Sequence, residues 1–372
     1  MQRVQTIPFF DYPYHYASRG EEFMEAIRSA LQRGAFIMQQ DLFDFEKGLS
    51  DLLGIKHVIG VADGTMALIM SLRAAGVGAG DEVIVPSHTF VASAASIHHV
   101  GATPVLVECG ADHLMDPASA RAAVTAKTKA IMPVQLNGRV CDMDAIVAIA
   151  DEFSLKIVED SCQAVGARFR GHAAGSFGVA GTASFFPAKT LGCFGDGGAV
   201  FTNHDDVAET VRVLRDHGRA KSGKVEMWGY NSRLDNIQAA ILNVKLKYYV
   251  EDIDKRRALA RIYQDLLGDL DTLVLPPAPD SDARHFDIFQ NYEIEADRRD
   301  ELQAHLSKHG IGTIRQWGGH MVHQFEKLGF ASTLPFTDRV SERYLLLPMH
   351  AGLKDEQVAV ICKSIREFYT GA

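Results

Sequence analysis

From about residue 55 to residue 160, short β-branched apolar runs alternate with stretches of helical spacing. The runs predict strands at His57–Val61, Glu82–Pro86, Pro104–Glu108, Ala130–Val134 and Lys156–Glu159, with helices between several of them, such as Thr65–Ala74 and Met143–Phe153. Such alternation implies βαβ units and a mainly parallel central sheet with helices on both faces. Two further apolar runs, Thr182–Phe186 and Ala199–Thr202, bracket a glycine-dense loop and predict a hairpin-like pair. Long helical patterns follow at Val207–Arg215, Asp235–Val250 and Asp252–Leu267, and then a turn-rich break at Pro276–Asp280. The remainder predicts a strand at Phe286–Ile294 and helices at Arg299–His309 and Asp355–Phe368. The expected organisation is a large domain over residues 20–248 and a smaller C-terminal α/β domain over 249–372, with residues 1–19 packing against the latter. No repeats or low-complexity segments interrupt it.

Composition changes this picture little. The 372 residues are 47% hydrophobic and 23% charged, enough for a full core and far from disorder. A formal charge of −9 argues against broad nucleic-acid binding but leaves room for basic pockets around a small anion. The first residues show no secretory pattern, and no apolar stretch approaches the ~18–20 residues needed to span a bilayer. Five scattered cysteines without a C-x-x-C read as free thiols in a reducing cytoplasm.

The chemistry concentrates around Lys189, in the run Ser184-Phe185-Phe186-Pro187-Ala188-Lys189-Thr190-Leu191-Gly192-Cys193-Phe194-Gly195-Asp196-Gly197-Gly198. Glycines let backbone approach a ligand closely, and a desolvated lysine can become a Schiff-base nucleophile. Asp160, at the end of another apolar run, offers a carboxylate to the same region. A lysine and an acid in one pocket are what pyridoxal phosphate (PLP) needs: an amine for its aldehyde and a partner for its ring nitrogen. Asp63-Gly64-Thr65 opens a predicted helix, where free N–H groups attract phosphate; it fits a plain helix cap as well. Phe90, after the second strand, can lie on a cofactor ring or belong to the core. Gln163 stands three residues beyond Asp160, within reach of a ring hydroxyl, and Ser184 can satisfy a phosphate oxygen. Asn231 and Arg233 can be polar ligands or can cap the following helix and pair with Asp235. No metal is expected, because neither His98-His99 nor His320/His323 has an acid or cysteine nearby in sequence to complete a ligand set. Nucleotide-hydrolysis and dinucleotide fingerprints are absent.

Taken together, these stretches resemble the DegT-type (DegT/DnrJ/StrS) family of PLP-dependent sugar aminotransferases. The resemblance rests on Gly80–Ser87, Thr128–Val134, Glu159-Asp160 with Gln163-Ala164, Ser184–Gly198, and Asn231–Asp235 with Gln238–Ala240. It implies a fold-type I aminotransferase architecture and a homodimer with active sites at the subunit interface. By the same resemblance, Lys189 carries the Schiff base, Asp160 pairs with the pyridinium, Gln163 contacts the ring hydroxyl and Phe90 stacks. Gly64, Thr65 and Ser184 hold the phosphate, and Asn231 reaches it from the neighbouring subunit. Family members with histidine at the lysine position remove a hydroxyl instead, so Lys189 implies transamination, with L-glutamate the expected donor. The K-x-L-G-x-x-G-D-G-G form of residues 189–198 points to C3 rather than C4 of a nucleotide-linked keto-sugar. Arg219, Lys221 and Arg315 are candidates for the diphosphate or the donor carboxylate, and His320 is a further substrate candidate. Ile314–His320 departs from the histidine- and proline-containing stretch usual in the family, which leaves sugar recognition open. Alternatives are transamination of a free keto-cyclitol or other small ketone, and a PLP-fold binding or regulatory protein without turnover.

Overall fold

The computed structural model describes residues 6–371. A seven-stranded sheet forms its centre: β1 (His57–Val61), β2 (Glu82–Pro86), β3 (Thr103–Val107), β4 (Thr128–Ile131), β5 (Lys156–Asp160), β6 (Ala180–Ser184) and β7 (Gly198–Thr202). Its order is β1-β7-β6-β5-β4-β2-β3. All neighbouring pairs from β6 to β3 are parallel, whereas β7 runs antiparallel to both β6 and β1. Strands β1, β2, β5, β6 and β7 are buried at all but at most one position, as expected for a sheet covered on both faces.

Several strand boundaries shift by a residue from the sequence expectation, and three strands differ more, each for a local reason. The fourth strand ends at Ile131 because Pro133 has no N–H for the ladder; Val134 keeps only an isolated bridge to Asp160. The sixth ends at Ser184 because the chain turns at Phe186, whose carbonyl accepts from the Lys189 N–H at 2.8 Å. The single strand expected at Phe286–Ile294 is two pieces. His285–Phe286 pairs with Arg168–Phe169, and Tyr292–Ala296 joins Leu273–Val274 and Tyr344–Leu347 in a separate antiparallel sheet. The break lies at Phe289, whose φ of +51° is incompatible with a continuous strand.

One core cluster fills the space between the central sheet and its helices; a second gathers Leu259, Tyr263, Tyr292, Ile294, Leu302, Leu345 and Ile361 around the smaller sheet. Residues 1–5 of the segment expected beside that sheet lie outside the described residues. Ile7 belongs to the second core and exchanges backbone hydrogen bonds with Gly310 and Gly312 at 2.9 and 2.8 Å. His15, further on, approaches Lys245 instead, at 3.1 Å. Among the described residues, no helix is long and apolar enough to cross a membrane.

Candidate active site

Parallel strands present their carboxyl ends to one edge of a sheet, and ligands bind there. Asp160 ends β5, Ser184 ends β6, Gly64 follows β1 and Phe90 follows β2. These ends open into one cavity of about 760 Å³, lined by Gly64, Thr65, Phe90, Asp160, Gln163, Ser184 and Lys189 together. Residues far apart in the chain thus meet because the topology brings their strand ends side by side.

Gly64 begins an 11-residue helix, Gly64–Ala74; Asp63 caps it by accepting from the Met66 N–H at 2.9 Å. The capping reading of Asp-Gly-Thr is therefore correct for Asp63, while the first N–H groups of the helix remain available toward the cavity. A Cβ at Gly64 would come within 2.9 Å of Ser184 Cβ and 3.0 Å of Cys162 Sγ, so only glycine fits this cradle. Close approach also requires Gly192 in the lysine loop, where a Cβ would lie 2.6 Å from the Phe186 carbonyl oxygen.

Asp160 is buried and accepts from the Ser93 hydroxyl at 2.7 Å and from the Cys162 N–H at 3.2 Å. Both bonds use the carboxylate oxygens as acceptors and fix the orientation of the group toward the cavity. Burial lowers the Lys189 ammonium pKa, opposed by the charge of the Asp160 carboxylate. Burial likewise raises the Cys162 thiol well above its usual value, so it stays protonated and does not compete as nucleophile. Lysine and carboxylate therefore face one cavity, close enough to feel each other's charge.

Gln163 lies in a chain of amides. Its Oε1 accepts from the Asn137 backbone N–H (2.9 Å) and from Asn291 Nδ2 (3.2 Å), and its Nε2 donates to Gln316 Oε1 (3.2 Å). Phe90 is half exposed beside Trp317, their ring centroids 6.5 Å apart.

Five candidates do not line the cavity of this chain. Asn231 is exposed and accepts from Arg233 at 2.6 Å. Arg219 pairs with Asp216 at 3.1 Å, and Lys221 stands off in solvent, 3.8 Å from Glu209. Arg315 points to Asp300 at 3.5 Å; its neighbours Ile314 and Gln316 line the cavity because the extended backbone alternates its side chains. His320 is exposed beside Phe325, with ring centroids 5.9 Å apart.

Sequence reasoning missed several residues of the site. Ser93 had a local signal, standing three residues after Phe90 on the same helix start. Gln290 had none: it lies about a hundred positions from the loop it holds. Its Oε1 accepts from the Thr190 N–H and hydroxyl at 2.7 and 2.8 Å, and its Nε2 donates to the Ala188 carbonyl at 2.9 Å. The expectation of no metal considered other histidines. Among the described residues, His88, His113 and Glu293 do meet at ligand-like spacing. His113, however, hydrogen-bonds Glu293 at 2.6 Å and Glu295 at 3.2 Å, the pattern of a protonated imidazolium between two carboxylates.

The residues present fit PLP: a glycine-lined helix start for its phosphate, a buried carboxylate for its ring nitrogen and a lysine of lowered pKa for its aldehyde. Residues 17–366 match the model of the DegT/DnrJ/EryC1/StrS aminotransferase family. A "Pleiotropic regulatory protein" of Geobacillus stearothermophilus is 40% identical over 98% of this chain and 99% of its own. The dTDP-3-amino-3,4,6-trideoxy-alpha-D-glucose transaminase of Streptomyces venezuelae is 38% identical over 98% and 97%. The UDP-N-acetyl-3-dehydro-alpha-D-glucosamine 3-aminotransferase of Acidithiobacillus ferrooxidans is also 38% identical, over the whole of both chains. Among solved structures, S. venezuelae DesV in complex with a ketimine intermediate superposes with a TM-score of 0.93 at 37% identity, covering 98% of each chain. This chain belongs to the DegT/DnrJ/EryC1/StrS aminotransferase family and is a PLP-dependent aminotransferase of fold type I.

Proposed function

We propose that this enzyme moves an amino group from L-glutamate to the C3 ketone of a sugar carried on a nucleoside diphosphate, in the biosynthesis of an amino or deoxyamino sugar. The observation that carries the reading is the single cavity shared by Lys189, Asp160, Gln163, Ser184 and the Gly64–Thr65 helix start. Two of the relatives described above bear a 3-amino or 3-aminotransferase name, and the Gly-Asp-Gly-Gly form of the lysine loop supports the same carbon.

PLP, when bound, supplies an electron sink for the carbon that loses its proton. Gly64, Thr65 and Ser184 would hold its phosphate, and Phe90 would cover its ring. Asp160 keeps the ring nitrogen protonated, and Gln163 faces the ring oxygen. With the cofactor bound, Lys189 would hold and move a proton at Nζ beside the donor's α-carbon. Ping-pong kinetics follow, because the keto acid leaves before the sugar enters.

The working unit in this reading is a cytoplasmic homodimer, with Asn231 completing the partner's phosphate site. Its support is the exposed stretch before Asn231, where Val225 and Trp228 are 70% and 90% exposed. The division near residue 248 into a cofactor domain and a smaller domain belongs to the same proposal.

Purified protein should be yellow and trap one cofactor per chain with borohydride, and Lys189→Ala should lose the trapping. A panel of 3-keto and 4-keto nucleotide sugars, free keto-cyclitols and other small ketones then tests the substrate. Turnover confined to non-nucleotide ketones would refute the sugar assignment. The regulatory name of the Geobacillus relative favours a second reading, a cofactor-binding protein without turnover. Loss of the yellow colour on adding glutamate would exclude it.

A further inference from the structure

Behind the cavity lies a buried ion pair that the reaction outlined above does not use. Glu293, on the smaller sheet, is 3% exposed, and Glu295 is nearly as buried. Glu293 Oε1 accepts from His113 Nδ1 at 2.6 Å and lies 3.4 Å from His88 Nε2. His113 also reaches Glu295, which is paired with Arg343 at 2.9 Å. Burial alone would raise the Glu293 carboxyl, but the charged His113 and the Asn137 amide hold it down to about 2. Burial disfavours the charged His113 too, yet hydrogen bonds from Glu293 and Glu295 push it up to about 10. Burial lowers His88. The net arrangement is an anion at Glu293, a cation at His113 and a neutral His88.

The other oxygen of Glu293 faces the cofactor side. Oε2 accepts from Asn137 Nδ2 at 3.1 Å and from Gln316 Nε2 at 3.3 Å. These two residues grip the two ends of the Gln163 amide. Asn137 does so through its backbone N–H, which it presents from a left-handed conformation with φ +55°. An asparagine tolerates that conformation best when its side chain is bonded locally, and here Glu293, Gln316 and Asn291 hold the side chain. Gln316 offers its Oε1 to Gln163 because its Nε2 is committed to Glu293 and to Asn137 Oδ1 at 3.0 Å. An amide nitrogen has two hydrogens. One of those on Gln163 goes to Gln316; the second has no acceptor among the described residues, and Gln163 lines the cavity.

We infer that Glu293 is a positioning residue that anchors Asn137 and Gln316 at once, and through them fixes Gln163 so that it presents an N–H to the oxygen substituent of the cofactor ring. The inference rests on the PLP reading above. A donor at that oxygen favours the more anionic form of the ring system and lowers the pH at which it titrates. Removing Glu293's acceptor function frees Gln163 and raises that midpoint.

The test uses the PLP-loaded full chain and reads the pH midpoint of its visible absorption band. Glu293→Leu should raise the midpoint by about one pH unit, the scale of one hydrogen bond to a charged group. Glu293→Gln keeps an acceptor for both amides and should restore the wild-type midpoint, an outcome that a merely structural loss would not give. In a Gln163→Leu background, Glu293→Leu should add no further shift. Should Glu293→Leu fail to fold, Gln316→Leu cuts one of the two grips and should shift the midpoint the same way. A wild-type midpoint in the variant that folds, or a shift that persists without Gln163, overturns the inference. Wild-type protein that takes up no PLP would instead refute the cofactor reading itself.

Discussion

Gln290 offers a direct test of how the site is held together. It is 6% exposed and makes three hydrogen bonds to the backbone and side chain flanking Lys189. Gln290→Leu keeps the volume but removes all three. The Thr190 N–H and the Ala188 carbonyl are then left in a buried place without partners, and the Thr190 hydroxyl must find another acceptor. Each orphaned buried group costs about 1–3 kcal/mol, which gives about 2–4 kcal/mol for the pair after partial relaxation. The loss is local, so global unfolding is a poor measure in a chain with several core clusters. Hydrogen exchange of the cofactor-free protein reads it directly: the Thr190 amide should exchange about 30-fold or more faster, as 2 kcal/mol or more of local opening energy implies. Turnover should fall as well, because Lys189 sits between the two freed groups. Glu at the same position separates the contributions: it retains the acceptor for Thr190 but sets an oxygen against the Ala188 carbonyl. Unchanged exchange at Thr190 together with unchanged turnover in Gln290→Leu would show that the clamp plays no part in placing the lysine.

Other outcomes follow from the same geometry. Asp160→Asn keeps an acceptor for Ser93 or Cys162 and should leave circular dichroism intact while cutting kcat by about 10²-fold or more, since a charge aimed at the reacting system is lost. Gly64→Ala sets a methyl against Ser184 and Cys162 and should weaken PLP binding about 10-fold or more in a fluorescence titration without unfolding the protein. The His113–Glu293 pair sets a pH window for stability. His113 is raised to about 10, so its contribution is complete below its ordinary value near 6.5 and is lost as pH rises through 10. Glu293 is lowered to about 2, so its contribution is complete above about 4.5 and is lost as pH falls through 2. Urea unfolding at pH 5.5, 8.5 and 10 should show a decline in the wild type that is smaller in His113→Gln.

The central sheet was legible in the sequence because its strands are short, β-branched and separated by helical patterns. His57–Val61 and Glu82–Pro86 fall at the expected residues. Boundaries drifted where a single residue stops a ladder, at Pro133 and at the turn before Lys189, and where Phe289 takes a left-handed conformation inside an apolar run. The helices Gly20–Gln32 and Gln40–Leu53 and the strand Tyr344–Leu347 lay outside the alternating region and were not anticipated. Within the site, Lys189, Asp160, Gly64, Ser184 and Gln163 were readable because each follows a strand or opens a helix, so local pattern places it at the same sheet edge. Gln290, Asn291 and Gln316 were not. Their contribution depends on how the second sheet docks against the first, and no periodicity records that. Arg219, Lys221 and Arg315 illustrate the converse: a cation near the right motif says nothing about where a flexible stem points, and each has an acidic neighbour close to its tip.

Residues 287–295 bear more of the site than their plain sequence suggests. The left-handed turn at Phe289 puts Gln290 and Asn291 against the elements carrying Lys189 and Gln163, and the strand that follows carries Glu293 behind Asn137. The smaller sheet is therefore tied to the cofactor side by buried polar bonds, where a hinge would need a smooth apolar or wet seam. Opening that seam would strip partners from Thr190, Ala188, Asn137 and Gln163 together, each at about 1–3 kcal/mol when it stays out of water. These bonds bias the two parts toward the closed arrangement. Phe90, Trp317 and Ile314 line the cavity without holding the lysine or its acid. Of these, Trp317 and Ile314 carry no role in the proposed cofactor site, so the cavity wall can change there while Lys189 and Asp160 stay fixed.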